Sequence, residues 1–182
     1  MNFDLKTLDL RTGAAEKCDQ LVVLVGEDFA PGSDPLARLI AQALKSKDFE
    51  TKPGKSLALY QAPGIAARRL LLVGAGSGDA RAVRQALAAI APAFRTAGAK
   101  RAVVCFAGRV TAPAVSAVVQ GVAQARYVYT LTKPKAEASE LTRVVIGVPE
   151  PKAVAQAFET SQAVALGVEL AREWGNRPAN HA

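Results

Sequence analysis

Histidine and cysteine are nearly missing from this chain. Its 182 residues include one histidine and two cysteines, so the usual sets of transition-metal ligands or nucleophile-base pairs cannot be assembled. His181, the sole histidine, stands beside the last residue and gives no Ser or Cys a fixed base. Cys18 and Cys105 form no CxxC pair, which argues against a structural zinc site, and Cys105 in the run AVVCFAG reads as a buried free thiol. Aromatics are only 5% of the chain, so Ala, Val and Leu must build any core. No apolar run reaches the roughly 18 residues of a membrane span. The N-terminal MNFDLKTLDLRTG alternates and has no signal-peptide core. The expectation is a cytoplasmic protein with no membrane partner.

Acids are also missing from one long interval. None occurs between Asp79 and Glu137, a stretch that carries Arg81, Arg84, Arg95, Lys100, Arg101, Arg109, Arg126, Lys133 and Lys135. The net charge of +7 is therefore uneven. Such a block is either a solvated basic face or a surface for nucleic-acid phosphates. It has no interleaved aromatics on which single-stranded bases would stack.

What remains is ordinary globular material, 50% hydrophobic and 21% charged, in a chain long enough for one substantial core. Asn2–Leu8 alternates with period two and reads as a half-buried strand, and Asp19–Val25 as a strand covered on both faces. Gly26–Pro35 reads as a loop. Ser33 or Asp34 can cap a helix that opens at Pro35 and runs to about Lys47. KPGK at 52–55 is a turn, followed by strands at Ser56–Tyr60 and Arg69–Val73. Ala80–Thr96 has helical spacing, with Val83, Leu87, Ile90 and Phe94 on one face and Pro92 expected to kink or shorten it. A strand follows at Arg101–Phe106, then a helix at Ala112–Ala125 behind Thr111. Tyr127–Leu131 has strand character, Lys133–Glu140 reads as a loop, and Arg143–Val148 is a strand. A last helix runs from about Pro151 to Trp174. This alternation predicts an α/β layered domain with a mixed, largely parallel sheet flanked by helices.

The last helix carries two apolar stripes. Val154, Ala157, Phe158, Ala165 and Val168 make one, and Leu166, Leu170 and Trp174, at spacing four, make another. A surface helix needs a single stripe. Two predict burial on two sides, the second against something outside this chain.

The motifs that suggest chemistry fail on inspection. LLLVGAGSGDARAVR at 70–84 has the order strand, glycine turn, helix, as a phosphate site would. Its Gly74, Gly76 and Gly78 are spaced GxGxG, however, not GxGxxG, and no acidic strand end follows about 20 residues on. It reads as a strand-to-helix turn capped by Asp79. Gly54-Lys55-Ser56 ends like a P-loop but has Phe49 where the earlier glycine belongs, and it opens a strand. Ser77 lacks the glycines of a nucleophile elbow. Glu27 and Asp28 read as a solvated pair in a loop. No catalytic and no metal-binding residue is identified.

The tail GVELAREWGNRPANHA at 167–182 resembles the junction of leucyl aminopeptidases, the cytosol aminopeptidase family. In that family a small-residue helix ends in Ala-Arg, then Asn-x-Pro-x-Asn, ahead of the catalytic domain. The matching residues are Ala171, Arg172, Asn176, Pro178 and Asn180. FETKPGK at 49–55 is similar to the family's Phe-x-Gly-Lys turn, with Pro53 and a longer spacing as departures. LLVGAG at 71–76 resembles its strand ending in Val-Gly-x-Gly. The resemblance implies an N-terminal domain similar to macro domains over residues 1–150, with 151–182 as a connecting helix and linker toward a C-terminal catalytic domain.

It further implies a parent that removes N-terminal amino acids from peptides with two divalent metal ions, manganese or zinc, and assembles as a homo-hexamer. None of the family's metal motifs falls in these residues, so this segment is expected to hold no cofactor and to be non-catalytic, with a structural and assembly role. Leu166, Leu170 and Trp174 would then pack between domains. Two alternatives stand beside it: a DNA-binding regulatory role for the basic stretch 81–135, and a small-molecule site of macro-domain type at Gly74–Asp79.

Overall fold

The computed structural model describes residues 1–132, 135–136 and 138–177. Strands β1 (Asn2–Thr7), β2 (Gln20–Gly26), β3 (Ser56–Tyr60), β4 (Arg69–Gly76), β5 (Arg101–Ala107) and β6 (Arg143–Val148) form one sheet in the order β1-β6-β5-β2-β4-β3. Every pairing is parallel except β3 with β4. Helices α1 (Leu10–Ala15) and α2 (Pro35–Lys45) cover one face, and α3 (Ala80–Ala89), α4 (Ala112–Arg126) and α5 (Pro151–Asn176) cover the other.

This is the layered α/β architecture that the alternation predicts, and its central strands show why. In β2, Leu21, Val23 and Val25 point to the α1/α2 side, where they meet Leu36, Ile40 and Leu72. Val22 and Leu24 point the other way, toward Val83, Leu87, Val118 and Phe158. A strand covered on both faces reads as an unbroken apolar run.

Helix starts follow the capping residues. The Asp34 carboxylate accepts from Ala37 N at 2.9 Å, with Pro35 in the first turn, which selects Asp34 over Ser33. Asp79 caps α3 by accepting from Arg81 N and Ala82 N, both at 2.8 Å. Those bonds, from Ala82 first, hold its carboxyl below the usual carboxylate range. Thr111 caps α4 at Ala114 N.

Pro92 shortens the Ala80–Thr96 helix as expected, and three further segments depart from the sequence reading. Pro92 ends α3 at Ala89, and Ala91–Arg95 continues as a short 3₁₀ turn that still buries Phe94. Tyr127–Leu131 is not a strand. β5 and β6 pair directly with each other, which leaves no slot beside them, and the Tyr127 N–H instead closes α4 on the Ala123 carbonyl. The six-residue α1 has no apolar periodicity to announce it, only a capping box between Asp9 and Thr12. β4 runs three residues past Val73, through Gly76. Lys133 lies outside the described residues, as do Pro178, Asn180 and His181.

Candidate functional site

Three places came forward from the sequence: the glycine turn, the basic block and the second stripe of the last helix. The glycine turn closes on the chain itself. A Cβ on Gly74 would lie 2.2 Å from the Lys52 carbonyl oxygen and 2.6 Å from Thr51 backbone atoms. Glycine is needed there because the 51–55 turn packs onto the strand. Gly74 N donates to Lys55 O at 2.9 Å and Gly76 N to Thr51 O at 2.8 Å.

The neighbouring strand ends are capped by an acid. Asp28 accepts from Arg109 N at 2.8 Å, and its other oxygen sits over Gly26 and Gly108, 2.3 and 2.4 Å from where their Cβ atoms would be. The cavity left between these strand ends is about 10 Å³, room for no more than about one water. A carboxylate across the notch also repels a phosphate. Asp28, expected to be merely solvated, therefore has a structural task. The sequence signal for it was a glycine at the end of each of two buried strands, Gly26 and Gly108.

The basic block does not stay together in space. Lys100 and Arg101 stand at the amino end of β5 and Arg109 beyond its carboxyl end, roughly 20 Å away at about 3.3 Å per residue. Arg101 is bound to Glu16 at 2.9 Å and to the Lys17 carbonyl at 2.6 Å. Arg126 is held by Glu169 at 3.6 Å and by the Leu141 carbonyl at 3.1 Å. Arg84 and Arg95 flank a groove between α3 and α4, while Arg81 and Lys135 are exposed. Neither the nucleic-acid reading nor the small-molecule reading gains support from this arrangement.

The last helix is different. Val154, Phe158, Ser161 and Ala165 are buried against α4 and the sheet, and no residue of α5 beyond Ala165 is buried. Val168, expected on the buried stripe, is 47% exposed, because the helix outruns the sheet beneath it. It lines a shallow groove with Val164, Glu169 and Arg172 beside Tyr127 of α4. Leu166, Leu170 and Trp174 are 70%, 59% and 54% exposed, one turn apart along one line.

Polar contacts tie this projecting half to Tyr127 at the end of α4. Asn176 Nδ2 donates to the Tyr127 hydroxyl at 3.2 Å, and the Arg172 guanidinium lies 5.5 Å from the Tyr127 ring centroid. Gly167 and Gly175 sit in the same half with nothing within 4 Å of their missing side chains. Each costs a water-exposed helix about 1 kcal/mol relative to Ala, yet each also lets another backbone approach closely.

Among the described residues no group of three or more His, Cys, Asp or Glu could hold a metal ion, and no helix is long and apolar enough to cross a membrane. Comparison with known proteins gives a consistent result. Residues 11–136 match the family model described as "Cytosol aminopeptidase family, N-terminal domain". The whole chain is 56% identical to a probable cytosol aminopeptidase of Verminephrobacter eiseniae and covers 35% of that protein. It is 54% identical to one from an Acidovorax species, covering 37%. It thus spans little more than a third of these relatives. Among solved structures, a tomato leucine aminopeptidase point mutant superposes over the full chain with a TM-score of 0.77 at 24% identity, and the match covers 39% of that protein. The bottromycin maturation enzyme BotP, in complex with Mn, matches over 90% of this chain and 33% of its own, with a TM-score of 0.57 at 25% identity.

Proposed function

Since the chain belongs to the cytosol aminopeptidase family as its N-terminal, non-catalytic domain, we propose that its task is to seat and help assemble a catalytic domain carried by the rest of the parent polypeptide. The observation that supports this reading is the exposed apolar line Leu166, Leu170 and Trp174 on the half of α5 that projects beyond its own core, with the Arg177 guanidinium 4.6 Å from the Trp174 ring centroid. Residues 1–150 form the α/β body in this reading, and 151–182 connect it to the partner domain. The relatives are almost three times as long as the chain, which leaves ample polypeptide to cover that line.

The parent is read as a cytosolic, metal-dependent aminopeptidase that removes N-terminal amino acids from peptides and assembles as a homo-hexamer. Its two divalent ions, manganese or zinc, would be held outside these residues. The donor set here does not fit a metal pair, because the described residues bring no three such ligands together. Hydrolysis of the peptide bond is accordingly assigned no step on this chain. A structural neighbour solved with Mn supports metal dependence of the parent.

Leu170→Asp tests the reading by thermal unfolding of two proteins. In the 182-residue chain alone Leu170 is exposed, so the substitution should change stability by no more than about 0.5 kcal/mol. In the full-length parent the same change should cost about 2 kcal/mol, the value of burying a leucine. A small and equal effect in both would overturn the proposed interface. The chain alone should not hydrolyse leucine p-nitroanilide with manganese or zinc, and robust turnover would refute the non-catalytic assignment.

A further inference from the structure

At the opposite end of the sheet from the glycine turn, the strand register places a row of unlike side chains together. Gln20 of β2 is the register partner of Arg69 of β4, and Arg69 is the partner of Tyr60 of β3. In parallel and antiparallel pairs alike, register partners point to the same face. Here that face is the one covered by α3, because Val22 and Leu71, two residues further along each strand, both lie in that core. The turn Thr96–Ala99, after the 3₁₀ segment, borders the row, and together they line an open cleft of about 270 Å³.

Gln20 is the odd residue in DQLVVLV. It is 2% exposed, and its Nε2 has no hydrogen-bond partner among the described residues. The Arg69 Nε beside it is likewise buried without a partner, although Arg69 Nη1 donates to Thr96 Oγ1 at 3.1 Å. Burying such a donor without an acceptor leaves its lost hydration uncompensated. Two of them on adjacent strands, lining one cleft, call for an acceptor that accounts for both.

The surrounding charge selects its sign. Asp19 is already engaged, since one of its oxygens accepts from Lys100 N and Arg101 N, both at 2.9 Å. Arg68 approaches its other oxygen only at 3.8 Å, with the Arg68 side chain 78% exposed. The lining of the cleft thus carries two arginines, Arg68 and Arg69, against the single carboxylate of Asp19. Tyr60 supplies a flat wall, with the Arg69 guanidinium 5.4 Å from its ring centroid.

We propose that this cleft is a binding site for a small oxyanion, a carboxylate or phosphate on a molecule of about amino-acid size, held by Gln20 Nε2 and Arg69 Nε. The volume lies just under the roughly 300 Å³ where drug-sized pockets begin, which limits the ligand to a few heavy atoms beyond its anionic group. The site is independent of the domain-docking reading, because it is built on β2, β4 and β3, across the sheet from the β1 edge beside which Leu166 of α5 lies.

The test follows the side-chain N–H signals of Gln20 and Arg69 in ¹⁵N-labelled protein during titration at constant ionic strength. Sodium acetate or inorganic phosphate should move both signals to saturation, while neutral acetamide and sodium chloride should not. Saturation by acetate alone would identify a carboxylate site, and by phosphate alone a phosphate site. Gln20→Met should weaken the saturating anion at least about tenfold, equivalent to about 1.4 kcal/mol. Failure of both anions to shift the signals beyond the chloride control would overturn the proposal, as would an equal response to acetamide. These outcomes are read on the wild-type chain and need no variant to fold.

Discussion

Gly74→Ala measures whether the glycine turn serves the chain's own packing. The added methyl would meet the Lys52 carbonyl oxygen at 2.2 Å and the Thr51 carbonyl carbon and oxygen at 2.6 Å. These are backbone atoms, so no rotamer change relieves the clash and the 51–55 turn must lift. Lifting it breaks the hydrogen bonds from Gly74 N to Lys55 O and from Gly76 N to Thr51 O, each worth about 1 kcal/mol. Overpacking adds about 2 kcal/mol. The expected loss is therefore about 4 kcal/mol, or roughly 2 M off the urea midpoint at a slope near 2 kcal/mol/M.

Gly78→Ala is the control. It has φ +71 but only the Arg109 carbonyl oxygen near its missing Cβ, at an ordinary 3.7 Å. That substitution should cost about 1 kcal/mol, from the left-handed backbone alone. Circular dichroism in urea is the assay, since Trp174 is too exposed to report on the core. If Gly74→Ala fell within about 0.5 kcal/mol of the parent, or below Gly78→Ala, the reasoning from close approach would be wrong.

Other outcomes follow from individual groups. The Lys6 ammonium first, then the charge and hydrogen bond of Arg101, hold the Glu16 carboxyl below its ordinary value, against a raising effect of burial. Its contribution is present above the carboxylate range and lost as pH falls through the lowered value, so Glu16→Gln should destabilise at neutral pH and converge on the parent in acid melts. Burial pushes the thiols of Cys18 and Cys105 up to about 11 and about 12. Both stay protonated at pH 8, so dithiobis-nitrobenzoate should react slowly with native protein and promptly once it is unfolded. The stability tied to these neutral thiols should decline as pH rises above the ordinary thiol range. Calorimetric titration with ADP-ribose should be flat, because Asp28 spans the strand ends where a diphosphate would sit; a saturating isotherm would reverse that assignment.

Local chemistry was legible where one residue decides. Asp34 and Pro35 opened α2, Thr111 opened α4, and Pro92 ended α3 as its missing N–H requires. The doubly apolar run 21–25 announced a central strand. The alignment of Leu166, Leu170 and Trp174 along one line of α5 was readable from their spacing of four. What could not be read depends on partners distant in sequence. Gly26 and Gly108 mark the ends of two buried strands, but only the fold shows that Asp28 lies over both. Arg101 and Arg109 look like members of one basic block until a strand separates them. Tyr127–Leu131 has strand propensity, but β5 and β6, the strands on either side of it in sequence, already have both their neighbours in the sheet. Gln20 stood in plain view as a polar residue in an apolar strand, and only the register reveals that Arg69 stands beside it.

The position of β1 has a consequence for how the chain is made. Asn2 pairs with Arg143, and Thr7 with Val148. Among the described residues β1 pairs with β6 alone, the latest of the six strands in chain order. At about 5–20 residues per second, β1 waits on the order of ten seconds for β6 to be synthesised. Until then the Met1 and Phe3 side chains, which come to rest against the core beside α5, stay uncovered. The sheet is thus completed only when β6 and α5 arrive. The helix that would join the catalytic domain follows β6 directly, so closure of this domain and presentation of its docking helix are timed to the same moment of synthesis.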